Sequence, residues 1–256
     1  MISAISLLLF ILAGLMIGIG GYTGLRAFLS IIFNFLILFL DIFLIANGFP
    51  AIPVTIIGSL IILATTIFMG SDDDNITQNA FYSSVLVITI LIILIQVVQP
   101  LLAVQGFGNE NTEDLEGLSL LIGIKFSDIM QSTMIISMLG AVSEAAIAVS
   151  TGLNEVMTET KDFPPTQVFS EGMKIGREII GTALNTLFFG FFGSFLGLFI
   201  WYVKLNYSFS SFINNKILVA ELSMILIGFI GVILTVPLTA WVIKTRNKKA
   251  VSKNLK

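Results

Sequence analysis

Long apolar runs alternate with short polar breaks along the whole chain, and most of the runs match the length of a bilayer crossing. A hydrocarbon core ~30 Å thick needs about 20 apolar residues in helical form. Seven stretches qualify: Ile2–Gly20, Phe28–Ala46, Ala51–Met69, Phe81–Val104, Met130–Ser150, Ile179–Tyr202 and Ile217–Ile243. An open sheet would leave backbone groups unpaired in lipid, so helix is the conformation expected for each. The pattern predicts an all-α, polytopic transmembrane helical bundle of about seven spans, embedded in the lipid bilayer of a cell membrane. An eighth would follow if 117-GLSLLIGIKF-126 re-entered the membrane, but that segment is short for a span. The first twenty residues lack a basic n-region and a small-x-small cleavage site, which reads as a retained first span, not a signal peptide.

The polar breaks set the orientation. The tail 244-KTRNKKAVSKNLK-256 carries Lys244, Arg246, Lys248, Lys249, Lys253 and Lys256, and basic flanks stay cytoplasmic. With seven spans the N-terminus is then outside and the C-terminus cytoplasmic. Counting back places Arg26, Lys161, Lys174 and Arg177 inside as well, and only Lys125, Lys204 and Lys216 outside. The acidic 106-GFGNENTEDLEGL-118 falls outside and 71-SDDDN-75 inside, where acidic residues count for little. The longest break, 151–178, reads as a cytoplasmic polar connection. Pro164 and Pro165 interrupt it, and Thr166 offers a cap for the helix that follows. The reading is one transmembrane domain over 1–256, without a detectable internal repeat, ending in a basic cytoplasmic tail over 244–256.

Composition narrows the chemistry. The chain is 56% hydrophobic and 11% charged, against about a quarter charged in soluble domains. It has no Cys and no His, which removes thiolate chemistry, the usual zinc and haem ligands and every His-based triad. No cofactor and no metal centre is expected, and an enzyme would have to rely on carboxylates alone. The net charge of -3, with few basic residues outside the tail, argues against nucleic acid as a partner.

Against this background the stretch 138-MLGAVSEAAIAVSTGLNE-155 stands out, because it sets a carboxylate inside a span. On a helix at ~100° per residue, Thr151 lies about -20° from Glu144, Glu155 about +20°, Thr158 about -40° and Asn154 about -80°. Ile147 interrupts this stripe, while Met138, Val142 and Val149 point to the opposite side. A second stripe runs through 171-EGMKIGREIIGTALNT-186. It carries Glu171, Lys174, Arg177 and Glu178 near the surface and Thr182 and Asn185 deeper, with Gly172, Gly176 and Gly181 as small positions where a backbone can approach. Glu144 and Asn185 lie at similar depth, each roughly 9 Å from the cytoplasmic end of its span.

A carboxylate in a span costs about 2.5–3.5 kcal/mol on insertion scales, so it is expected to face the bundle interior and find a partner or water. Glu144 is therefore expected to face the sixth span. Either the two stripes line a polar path or ion site, or they clamp two helices together.

Asn34 and Asp41, at i and i+7 in the second span, are candidate lining of the same interior, with solvation at the membrane edge as the alternative. Gly14-x-x-x-Gly18 and Gly193-x-x-x-Gly197 are packing signals. Asn75-Ile76-Thr77 matches a glycosylation acceptor but falls on the cytoplasmic side.

The runs 139-LGAVSEAAIAVSTGLNEV-156 and 171-EGMKIGREIIGTALNTL-187 resemble the signature region of the YibE/F membrane proteins, and 20-GGYTGLRAFLS-30 resembles that family's first cytoplasmic turn. The resemblance implies a multi-pass bacterial membrane protein and leaves the activity open. In the family pattern an Asp usually stands where this chain has Glu144 and Glu178; charge is retained and reach grows by one methylene. Many members carry an N-terminal extracytoplasmic domain, which implies that its role is missing here or supplied by a second protein, with a longer member of the family as the candidate partner.

Residues and resemblance together give a leading expectation. This is a transporter or channel-like protein for an ion or small polar solute, with its path between the fifth and sixth spans. Glu144 and Glu178 would be acidic ligands or proton carriers, Lys174 and Arg177 counter-charges, and Thr151, Asn154, Glu155, Thr182 and Asn185 further lining. The rival is a non-transporting membrane subunit that scaffolds or regulates a partner. In either case a homo-oligomer or a complex with a longer relative is the expected assembly.

Overall fold

In a computed structural model, which describes residues 3–105, 125–160, 163–164 and 166–254 and side chains through Asn247, every described apolar stretch is helical. The helices are α1 (Ala4–Ala46), α2 (Ala51–Gly70), α3 (Asp74–Leu102), α4 (Phe126–Glu159), α5 (Val168–Lys204), the single-turn α6 (Phe209–Ile213) and α7 (Lys216–Asn254). Six of them are long and apolar enough to cross a membrane. The seven expected spans map onto these six because the first two share α1. The acidic 106–118 loop, the candidate re-entrant 117–126 up to residue 124, Lys161 and Pro165 lie outside the described residues, as do the side chains of the tail beyond Asn247.

The break inside α1 has a local cause. Gly21 sits at φ 55°, ψ -132°, a region that L side chains avoid. Past it the chain doubles back so closely that a Cβ on Gly24 would overlap the backbone oxygen of Met16. Eight residues apart on a straight helix, those two positions would be about 12 Å from one another. The arms 4–20 and 22–46 are therefore two separate rods, each near the length of a crossing.

Packing follows a membrane logic. The least apolar of the long helices, α4, is the most buried, and it contacts α2, α3, α5 and α7. Met130, Met134, Ile135, Met138, Val142 and Ala146 of α4 join Leu63 and Ile67 of α2, Val87, Leu91 and Ile95 of α3, and Ile227 of α7 in the main core. A smaller core of Val149, Leu153, Val168, Val236, Ala240 and Ile243 ties α4, α5 and α7 together at one end. In lipid there is no hydrophobic drive to bury the greasiest helices, so the helices with polar residues move inside. The apolar α1 lies at the rim accordingly, whereas α5 lies there although only α4 is less apolar.

Polar contacts define the two ends of the bundle. At one end Arg26 pairs with Asp72, Asp73 caps α3 and accepts a hydrogen bond from Asn154 Nδ2 at 3.1 Å, and Arg246 donates to Gln78 at 2.7 Å. Lys244 lies over the Phe169 ring near the start of α5, where Lys174 and Arg177 also stand. Lys125, Lys204 and Lys216 stand at helix ends on the opposite side. The basic residues sort to the two ends as the sequence leads one to expect.

The 151–178 connection is mostly helix. α4 continues to Glu159 and α5 begins at Val168, leaving only 160–167 between them. The polar residues there ride on helices whose other faces bury Leu153, Val168, Gly172 and Gly176. Thr166 is not the cap: the N-cap position of α5 is Gln167, which makes no side-chain capping bond.

Candidate functional site

One stripe of α4 escapes burial. Thr133, Ser137, Gly140, Glu144 and Glu155 are exposed and Thr151 is half-buried, at spacings that keep all six within about 40° of Glu144. Most of the opposite face of that helix is buried, and the stripe is polar or small at each of these positions.

The facing helix leaves α4 as it crosses the bundle. At the Arg26 end the helices are tight: a Cβ on Gly152 would meet Ile175, one on Gly172 would overlap Leu153 and Ala240, and one on Gly176 would overlap Val236. Beyond that point Gly181, Gly190, Gly193 and Gly197 of α5 have nothing within reach, while Leu187 still rests against Gly228 of α7. The result is a groove with α4 as one wall, α5 as the other and α7 as its floor. Ser137, Thr186, Gly190, Ser194, Glu221 and Gly228 help line an open part of it with a volume of about 290 Å³.

The lining is mostly apolar, with Leu187, Phe191, Phe195, Met224 and Ile225, and its polar groups are hydroxyls and one carboxylate. Ser137 donates to Met134 O at 3.0 Å, Thr186 to Thr182 O at 2.9 Å and Ser194 to Gly190 O at 2.9 Å. Each hydroxyl thus spends its proton on its own helix and turns lone pairs outward. With Glu221 on the floor and Glu144 on the same face as Ser137, the groove offers oxygen ligands and negative charge.

The remaining expected residues divide between the two ends of this groove and elsewhere. Glu178, Thr182 and Asn185 are exposed on α5, with Thr182 bonded to Ile179 O at 2.9 Å. Neither Thr182 nor Asn185 reaches Glu144, which has no hydrogen bond or ion pair with any described residue; the expected bonds across the helices are absent because α5 diverges there. Lys174 pairs with Glu171 at 3.2 Å, one turn away, and Arg177 is exposed, so neither cation engages Glu144. Asn154 is bound to Asp73 at the bundle end, and Glu155 is exposed beside it.

Asn34 and Asp41 face a different neighbour. Asn34 donates to Thr66 Oγ1 at 2.8 Å and accepts from Thr65, both on α2. Asp41 packs where Gly58 of α2 leaves a notch. They line the α1/α2 crevice, not the α4/α5 groove, since α1 packs chiefly on α2.

Two features escaped the sequence reading. Glu221 is a carboxylate within the last span, and the rule that singled out Glu144 would have found it. Gln96, Gln99 and Gln131 form an amide chain between α3 and α4, with Gln96 Nε2 to Gln131 Oε1 at 2.8 Å and Gln131 Nε2 to Gln99 Oε1 at 3.2 Å. Their pairing requires knowing which faces of the two helices meet.

Neither curated proteins nor solved structures provide a match to this chain. A family model described as YibE/F-like protein matches residues 8–249, which takes in every long helix and both stripes, and the chain belongs to that family.

Proposed function

We propose that this multi-pass membrane protein moves an ion or small polar solute along the groove between α4 and α5, without catalysing a chemical reaction. The observation that carries the reading is the exposed polar and small stripe on α4, with Glu144 at its centre and no partner for that carboxylate among the described residues. A carboxylate at that depth facing bare lipid is costly. Water or a translocating cation in the groove offsets that cost, and the two carboxylates, set in an otherwise largely apolar lining, favour a cation over an anion. Glu144 and Glu221 then act as acidic ligands, Ser137, Thr186 and Ser194 as neutral ones, and Lys174, Arg177 and Glu178 as the charged mouth. The positive-inside rule puts the Arg26, Lys174 and Arg246 end in the cytoplasm.

A second reading, a non-transporting subunit that docks a partner membrane protein, is favoured by the open rim. Gly14, Gly18, Gly193 and Gly197 meet none of the described residues, so their close-packing surface suits a second copy or a longer relative.

Purified protein in liposomes, screened for cation and small-solute flux, separates the two. The Glu144→Gln variant is expected to insert normally and lose flux, because it keeps shape and loses charge. Full flux in that variant, or none in the wild type across the screen, would leave the docking role. In that case Glu144→Leu should be neutral or stabilising, because an apolar side chain at that depth avoids the cost of a carboxylate facing lipid.

A further inference from the structure

The crevice between α1, α2 and α4 holds a buried carboxylate with no cationic partner among the described residues. Asp41 is 6% exposed, and its Oδ2 has no hydrogen-bond partner among the described residues. It lies about 7 Å inside the end of α1 at Ala46, hence at membrane depth. Its carboxylate fills the notch left by Gly58, where any side chain would overlap it.

Two hydroxyls line the same cavity in an equally unusual state. Thr55 of α2 is 0% exposed and Ser132 of α4 is 4% exposed, and neither hydroxyl has a partner among the described residues. Helical hydroxyls in this chain commonly fold back onto a carbonyl three or four residues earlier, as Thr89, Thr133 and Ser143 do. Thr55 and Ser132 do not. Ser59, Ser84, Ser150 and Thr239 share that state, and Thr55 and Ser132 are the two that line the cavity beside Asp41. Leaving three buried polar groups unsatisfied costs about 1–3 kcal/mol each, and more for a charge.

We propose that Asp41, Thr55 and Ser132 form a binding site for a small, hard monovalent cation of the sodium type. The donor set is all oxygen, which suits a hard cation over a soft one. One carboxylate supplies a single negative charge, so a monovalent ion leaves the buried site neutral, whereas a divalent ion would leave net charge in low dielectric. A proton on Asp41 would also neutralise it, but would leave at least one of the two hydroxyls unsatisfied. One cation satisfies all three at once. Access follows from geometry: a second cavity, lined by Asp128, Lys125 and Ala51, lies at the same end of α4, and the two share Ile45. The site is separate from the α4/α5 groove and stands whether or not the chain transports.

The test uses the full chain in detergent at fixed pH and ionic strength, with sodium chloride exchanged for choline chloride. A ligand that binds the folded state raises its melting temperature in a saturable way. Sodium and lithium are expected to do so and choline is not, with radioactive sodium bound at one site per chain. Asp41→Asn should abolish the response. Thr55→Val and Ser132→Ala should each weaken sodium binding about tenfold, the equivalent of one lost ligand, while Thr55→Ser retains it. If Asp41→Asn does not fold, the two hydroxyl variants carry the comparison. Glu144→Gln should leave the sodium response intact, which distinguishes this site from the groove. No sodium response in the wild type, equal stabilisation by choline, or an unchanged response in the folded Asp41→Asn, Thr55→Val and Ser132→Ala variants would overturn the proposal.

Discussion

Individual residues in this protein are placed by what lipid will not tolerate. A buried carboxylate survives in the α1/α2 crevice because glycine at position 58 makes room for it. Adding one methyl there should force the Asp41 side chain out of its notch. Gly58→Ala is expected to destabilise the protein by about 1–3 kcal/mol, the usual cost of overpacking a filled site. In an Asp41→Ala background the same substitution should cost far less, since the clashing atoms are gone. Melting curves of the four proteins in detergent form a double-mutant cycle, and additive costs would show that the two residues do not touch. The sequence displayed Asp41 as a carboxylate in a span and even gave its period with Asn34. It could not show Gly58, because a glycine speaks only through the neighbour it admits. The same limit hid the absence of a bond between Glu144 and Asn185: their matched depth is a property of sequence, their separation a property of how α5 leans.

At the scale of helices, span positions were legible because the bilayer imposes one length on every element, and all seven apolar stretches lie on helices. What periodicity could not supply was the handling of the ends. Polar residues 151–159 and 168–178 read as a connection because they are unsuited to lipid, yet helices pass beyond the membrane when a neighbour such as α7 offers packing. The break at Gly21 is the element-level feature with most consequence, since it divides one helix into two crossings. Two crossings there give seven in all and set the termini on opposite sides. One unbroken crossing gives six and sets them on the same side. A reporter active only outside the cytoplasm is therefore expected to signal when fused before Met1 and to stay silent when fused after Lys256. Matching signals from both fusions would contradict the two-rod reading of α1. Gly21→Ala is expected to destabilise the fold by about 1–3 kcal/mol, because a side chain at φ 55°, ψ -132° is strained whatever space surrounds it.

The whole molecule is lopsided. Its core gathers around α4, while α1 and α5 form a rim on which the pairs Gly14/Gly18 and Gly193/Gly197 meet no described residue. Two explanations compete for such pairs in a membrane protein: tightening the chain's own bundle, or docking another. The first applies to Gly172 and Gly176, which press on Ala240 and Val236 of α7. It does not apply to Gly193 and Gly197, which point at no neighbour and stand on the wall of a groove that is open on one side. Small residues let backbones approach, and close approach with interhelical hydrogen bonds is what holds helices together in lipid. A second chain laid along α5 would gain that contact and would also cover the α4/α5 groove, shielding Glu144 from the acyl chains. Gentle extraction of the tagged protein from its membrane is thus expected to yield a complex whose protein mass exceeds the 27.8 kDa of one chain. Gly193→Leu together with Gly197→Leu should shift it toward the single-chain mass, because the bulky pair holds the backbones apart. The melting temperature of the separated chain should change little, as neither glycine packs within it. A single-chain mass for the wild type, with no second membrane protein in the preparation, would sink the docking role of α5 and return those glycines to the lipid.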